Sequence, residues 1–204
     1  MPHPLSYTNR QGSTAYIRAV TAKKGGTRYY ITKEPQNPDL IEEMPAGFEF
    51  YENPADARII FRKRKPSHIY PSERQLVEDA MANLSAVSDF IVEAQEKEIM
   101  VYISQFSSIA GQEESLSAEE ARKLWGEHSD RWKQYRDYVR FVLVSRSPRV
   151  FAVERIVFMS FFGHDYVELE RSTDLEYLAE KICEHIGRDT YFDLVPEGFA
   201  DEDN

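Results

Sequence analysis

The sequence predicts an α+β protein: a small antiparallel β module at the N-terminus packed on a larger mixed α+β domain with an antiparallel sheet and about three helices. Three observations predict it. Short runs rich in β-branched and aromatic residues recur in pairs across turns, whereas three other segments carry apolar residues at helical steps of three and four. The chain also changes character at Pro66, where the strand-like run Arg58-Ile-Ile-Phe-Arg-Lys-Arg-Lys-Pro66 ends in four consecutive cations. With 204 residues, 42% of them apolar, there is material for one good-sized core or two small ones.

Residues 1–13 have no periodicity and read as a disordered arm. The β module spans residues 14–66. Its first hairpin joins Ala15–Ala22 to Thr27–Lys33 across Lys23-Lys24-Gly25-Gly26, the two glycines being suited to the positive φ angles of a tight turn. Residues 34–47 hold Pro35, Pro38, Pro45 and Gly47 and read as connector. The second hairpin pairs Phe48–Tyr51 with Arg58–Arg62 and turns Phe48, Phe50, Ile59 and Phe61 inward, so a single four-stranded sheet is expected.

The α+β domain spans residues 67–199. A helix begins near Pro71-Ser72-Glu73 with Ser72 as N-cap and an apolar face of Leu76, Val77, Ala80, Met81, Leu84 and Val87. Phe90–Ala94 and Ile99–Ile103 form a hairpin, and residues 107–115 a polar loop. Ser117 and Glu120 have capping-box spacing before a stripe of Ala118, Ala121, Trp125, His128, Trp132 and Tyr135, which predicts a second helix. Tyr138–Val144, Arg149–Met159 and His164–Glu170 follow as a meander punctuated by Ser147-Pro148 and Phe162-Gly163. The last helix runs from near Asp174 to Gly187 with Leu175, Leu178, Ile182 and Ile186 on one side. Tyr191–Val195 tucks aromatics onto the body, and residues 200–204 form an acidic tail.

The quoted stretches Arg28-Tyr-Tyr-Ile-Thr-Lys33, Met44-Pro-Ala-Gly-Phe-Glu-Phe-Tyr-Glu-Asn-Pro54 and Phe61-Arg-Lys-Arg-Lys-Pro66 resemble the start of a family of uncharacterised bacterial proteins with no assigned activity. The resemblance covers mainly residues 15–75. It implies a bacterial, cytoplasmic protein and supplies no catalytic residue.

Charge is unevenly spread. Residues 1–75 hold 12 Lys/Arg against 8 Asp/Glu, a net of +4, so with an overall charge of -10 the remainder carries -14. Such asymmetry suits either an anionic partner or attraction between the two halves, and the second reading is preferred. No apolar run approaches the roughly 20 residues of a membrane helix, and the N-terminus lacks a basic segment before an apolar one, so a cytoplasmic location without membrane association is expected. Cys183 is the only cysteine. It excludes an internal disulfide and a multi-cysteine zinc site.

No nucleotide-phosphate glycine loop, HExxH, CxxC or GxSxG motif occurs, so no catalytic residue, metal ligand or cofactor is nominated. His164, Glu168 and Glu170 share one strand face by alternation, but residues four apart in a strand stand about 13 Å from one another, too far to chelate one ion. Solvated alternation on a half-buried strand accounts for them. Trp125 and Trp132 fit a core-facing stripe. His128 lies on that stripe and His185 near a helix C-terminus, while His68 follows the basic run and His3 lies in the arm.

The remaining candidates are Arg28, Tyr30, Arg58, Arg62, Lys63, Arg64 and Lys65, cations interleaved with aromatics on a small antiparallel sheet. A non-catalytic interaction or regulatory protein, using this edge on a protein partner or on a second copy, is the leading expectation. The alternative is a module for single-stranded nucleic acid, which needs cations for phosphates and aromatic faces for bases. An enzyme acting on a small anionic substrate is the remote third.

Overall fold

The computed structural model describes residues 3–105, 119–120, 123, 133–158 and 164–195. The described residues divide at Lys65/Pro66 into two compact units, Lys133 and Gln134 belonging to the first. The mixed, antiparallel α+β class is as expected; its details differ.

In the first unit, β1 (Ser6–Thr8), β2 (Thr14–Thr21) and β3 (Thr27–Thr32) form one antiparallel sheet in sequence order, and β4 (Phe48–Glu52) and β5 (Ile59–Lys63) a second. The expected single four-stranded sheet is therefore two sheets. Residues 1–13, expected as an arm, supply β1. A three-residue strand carries too little alternation to be read, and side chains beyond it fasten it. Asn9 accepts from the Ser13 N–H at 2.8 Å and donates to the Ala57 carbonyl at 2.7 Å. Arg10 donates to Glu52 at 2.9 Å and to the carbonyls of Asn53, Pro54 and Lys133, while Tyr7 donates to Glu52 at 2.9 Å. Gly25 and Gly26 take φ of 83° and 85°, which closes the β2–β3 hairpin as expected.

Phe50 faces Phe61 across the β4–β5 pair, and the two rings meet edge to face at 5.3 Å. Phe48 stacks on Phe61 at 5.3 Å, Tyr7 on Phe50 at 5.5 Å, and Tyr29 meets Phe48 edge-on at 4.9 Å. Few aliphatic residues of this unit are fully buried, so ring contacts supply the packing between its two sheets.

In the second unit, β6 (Phe90–Gln95), β7 (Glu98–Ser104), β8 (Tyr135–Arg146), β9 (Arg149–Phe158) and β10 (His164–Ser172) form a five-stranded antiparallel sheet in sequence order. Helices α1 (Pro71–Leu84) and α2 (Leu175–Cys183) cover one face of it. Val77 and Met81 of α1 and Leu178 and Ile182 of α2 meet Val101, Val139, Phe141 and Val153 in one dry core. The face away from the helices carries a polar network. There Arg140 pairs with Glu154 at 2.6 Å and with Glu98 at 3.6 Å, and lies over the Tyr166 ring at 3.8 Å.

The N-cap of α1 is Tyr70, not Ser72, because Pro71 takes the first helical position, where its missing N–H costs nothing. Glu73 accepts from the Tyr70 N–H at 2.7 Å and holds Arg149 through two bonds of 2.6 and 2.7 Å, tying the helix start to the β8–β9 turn. Helix α2 starts beside Asp174 as expected, and the Asp174 side chain caps it by accepting from the Tyr177 N–H. The helix ends at Cys183 with Glu184 as C-cap, short of the expected stop at Gly187, which lies in the turn that follows; there Gly187 has φ of 82°, and a Cβ would lie 2.8 Å from Val87.

Two helices stand among the described residues where about three were expected. Glu119, Glu120 and Lys123 are helical, but Ser117, Ala118, Ala121, Trp125, His128 and Trp132 lie outside the described residues. So do the 107–115 loop, the Phe162-Gly163 turn and the acidic tail. Tyr135, placed on that stripe by its spacing, instead opens β8. No described helix is long and apolar enough to cross a membrane.

Cys183 is fully buried, and burial pushes its thiol from 9.0 up to about 12. The unfolded chain then loses this proton before the folded one does. Stability is unaffected by it below about pH 9 and falls by about 1.4 kcal/mol per pH unit between the two values. Urea unfolding from pH 8 to 11 is expected to show that decline, and Cys183→Ala to delay its onset towards pH 10, where the tyrosines begin to contribute.

Candidate functional site

The seven residues nominated by the sequence do not form one unpaired cationic strip. Arg62 is folded against its own hairpin, 3.0 Å from Glu49 and stacked on Tyr51 at 3.6 Å. Arg64 reaches the other oxygen of Glu49 at 3.5 Å, and Arg58 stands 4.0 Å from Asp56. Lys63 and Lys65 are exposed at and just beyond the end of β5. Arg28 and Tyr30 sit on β3, where Arg18 lies over the Tyr30 ring at 5.1 Å. Tyr30 and Ile31 are each about two-fifths exposed, an aromatic and an aliphatic residue on opposite faces of the last strand of the sheet.

The carboxylates suspected on β10 are separated by a bulge. Glu168 stands opposite Glu154, on the polar face, and is held by Arg171. The register then slips, so that Glu170 stands opposite the core residue Val153 and reaches Lys181 of α2 at 2.6 Å. The two point to opposite faces and form no pair. His164 stands at the start of β10 opposite Phe158. His185 bonds Thr190 at 2.9 Å, and the backbone of His68 donates to Glu96.

A different site lies on the helix-covered face of the five-stranded sheet, beyond the end of α2. β8 carries an extra residue there: Val139 faces Val101, but Asp137 faces Tyr102, leaving Tyr138 bulged between them. A bulge puts two successive residues on one side of a strand, and Tyr138 and Val139 both enter the core. Arg155 stands directly across from Val139 and so faces the same way. The chain after α2 returns over this corner, where Tyr191 stacks on Tyr138 with ring centroids 4.4 Å apart.

Ile103, Arg136, Tyr138, Arg155, Tyr191 and Phe192 line a pocket of about 190 Å³ between them. Arg136 and Phe192 are exposed and form its rim, whereas Tyr138 and Tyr191 are buried. The walls are mostly apolar. Their polar groups are chiefly donors. The two side-chain polar atoms that are buried without a hydrogen-bond partner among the described residues are the Tyr138 hydroxyl and Arg155 Nε, and both belong to this pocket. Burial pushes the Tyr138 hydroxyl up to about 12, against the opposing pull of the Arg155 and Arg136 guanidiniums. It is therefore a neutral donor at physiological pH. The Asp137 carboxylate, on the same strand, is engaged on the far face by the Tyr166 hydroxyl.

These residues escape a motif search because they come from three separate segments. One signal was present: Glu154-Arg155 places two charges side by side in an apolar strand, and successive residues face opposite ways, so one of the two must face the covered side. The adjacent Arg136-Asp137 poses the same question on β8. No protein-family model matches the chain, and no curated protein or solved structure does either.

A buried donor without a partner costs about 1–3 kcal/mol, whereas a satisfied one contributes about 1 kcal/mol. Tyr138→Phe is therefore expected to leave stability unchanged or raise it by about 1–3 kcal/mol in urea unfolding. Tyr191→Phe, which removes a donor bonded to the Tyr138 carbonyl at 3.0 Å, is expected to lower it by about 1 kcal/mol.

Proposed function

We propose that this is a non-catalytic binding protein that holds a small organic anion in the pocket between β8, β9 and the chain after α2. The observation that carries the reading is the pair of unpartnered buried donors, Tyr138 Oη and Arg155 Nε, in one pocket with a second guanidinium, Arg136, at its rim. Buried donors without partners are rare and destabilising, and an acceptor admitted to the pocket would satisfy both. Two guanidiniums select a negative charge, and apolar walls strengthen that attraction by excluding water.

A binding role is favoured over proton transfer by the same groups. Arginine stays charged at any physiological pH, and a phenol raised to about 12 takes up no proton near neutrality. The pocket thus offers fixed donors and no base poised near pH 7 among its arginines and phenols.

The reading is tested by thermal unfolding in acetate, propionate and phosphate against chloride at matched ionic strength. A saturable rise in Tm with at least one of these anions is expected, and Arg155→Met should abolish it while remaining folded by circular dichroism. An equal response in the variant, or none in the wild type, overturns the reading.

A second reading concerns the N-terminal unit, where Tyr30 and Ile31 are exposed beside Arg28 on the last strand of a sheet. Such an edge suits an extended segment of an acidic protein partner, added by main-chain pairing. Protein is favoured over single-stranded nucleic acid because Glu49 and Asp56 already engage Arg62, Arg64 and Arg58 and offset two of their three charges. Pull-down of an acidic partner should be lost on Ile31→Lys with Arg28→Glu, whereas capture of single-stranded RNA with a steep loss in salt would replace this reading with the other.

A further inference from the structure

We infer that the pocket is built for an aromatic carboxylate of about benzoate size, with its ring extending the Tyr138–Tyr191 stack and its carboxylate received by Arg155 and the Tyr138 hydroxyl. This inference rests on the anion-binding reading above and narrows it to a ligand class.

Three observations carry it. The first is size. A dry cavity of about 150 Å³ accommodates benzene, and this pocket holds about 190 Å³, which leaves room for one six-membered ring and a three-atom charged group. Acetate would leave most of that space empty.

The second is the chemistry of the walls. Tyr138 and Tyr191 are stacked with 26° between ring planes, and Phe192 meets Tyr191 edge-on at 5.7 Å and 86°. A third flat ring continues this arrangement through offset stacking or edge contact, the geometries that aromatic pairs prefer. Phe192 is about half exposed and sits at the rim, so it is the aromatic wall freest to move when a ring enters. Ile103 and Val157 complete an apolar surround that favours a ring over a hydrated polyol.

The third is the donor set. The unpartnered donors are two in number, as are the oxygens of a carboxylate, and one of them belongs to a guanidinium, which binds carboxylates through charge-assisted bonds. Both donor atoms are shut off from solvent, so a small side-chain adjustment, not bulk water, must bring an acceptor to them. A phosphate monoester brings more acceptor oxygens than the two unpartnered donors of this corner satisfy.

Titration calorimetry of the full chain with benzoate, acetate, benzamide and phenyl phosphate separates the components. Benzoate is expected to bind at least tenfold more tightly than each of the other three. Tyr138→Phe should weaken benzoate several-fold and Arg155→Met should reduce it to the level of benzamide, with both variants retaining the cooperative unfolding of the wild type. Acetate binding as tightly as benzoate overturns this inference and leaves the anion reading standing. Phenyl phosphate binding more tightly than benzoate overturns the carboxylate assignment in the same way. Benzamide equalling benzoate, or no binding by any of the four, overturns both.

Discussion

Among the described residues the five-stranded sheet carries helices on one face only, so its two faces must stay chemically distinct along every strand, and three bulges determine where that alternation changes phase. β8 carries extra residues at Tyr138 and Val144, and β10 one between Glu168 and Glu170. Between the bulges the pattern is regular: Val139, Phe141 and Leu143 face the helices while Arg140 and Val142 face away. At Tyr138 the phase shift brings a second consecutive residue onto the covered side. That shift allows Tyr191 to stack there, and the Tyr191 hydroxyl, bonded to the Tyr138 carbonyl, fastens the chain after α2 to the sheet. The pocket is the corner left where the bulge, the last apolar segment and Arg155 meet.

The N-terminal unit solves a different problem with different means. It has too few buried aliphatic residues to hold two small sheets together by area alone. Ring-on-ring contacts among Phe48, Phe50, Phe61, Tyr7 and Tyr29 supply specific geometry, and the half-buried Arg10–Glu52 pair adds directed bonds from residues before β2 to the β4–β5 turn. Glu52 is shared by Tyr7 and Arg10, so one carboxylate organises both the first strand and the turn that follows it. The cations that make this unit look like a binding surface are, in large part, the complements of its own carboxylates.

The features legible in the sequence were those written in local chemistry. Gly25-Gly26 marks a hairpin because only glycine tolerates two successive positive φ angles readily, Asp174 marks the start of α2 by capping, and Gly187 marks the turn beyond its end by positive φ and steric exclusion. Ser72 was misplaced as a cap because Pro71 competes for the adjacent position and wins it on φ alone. Bulges have no such local marker. A one-residue slip moves every later side chain to the other face, so Glu168 and Glu170 look like neighbours on one face when counted along the chain and are opposed in the sheet. The site followed the same rule. Arg62 to Lys65 is conspicuous as a run yet largely engaged with nearby carboxylates, whereas Arg136, Tyr138 and Arg155 are inconspicuous one by one and converge only through a bulge and a register.

Tyr138 and Tyr191 make an internal comparison within that corner. Both are phenols with under a tenth of their surface exposed, both belong to the same stack, and burial raises the proton affinity of both hydroxyls. Tyr191 donates to a carbonyl 3.0 Å away; Tyr138 donates to nothing among the described residues. If the corner were merely loosely packed, the same backbone that satisfies one hydroxyl would offer carbonyls to the other, and phenylalanine would fill the position at lower cost. A hydroxyl kept at a buried position without a partner, beside a guanidinium nitrogen in the same condition, is instead the arrangement expected of a site whose acceptor comes from outside the chain.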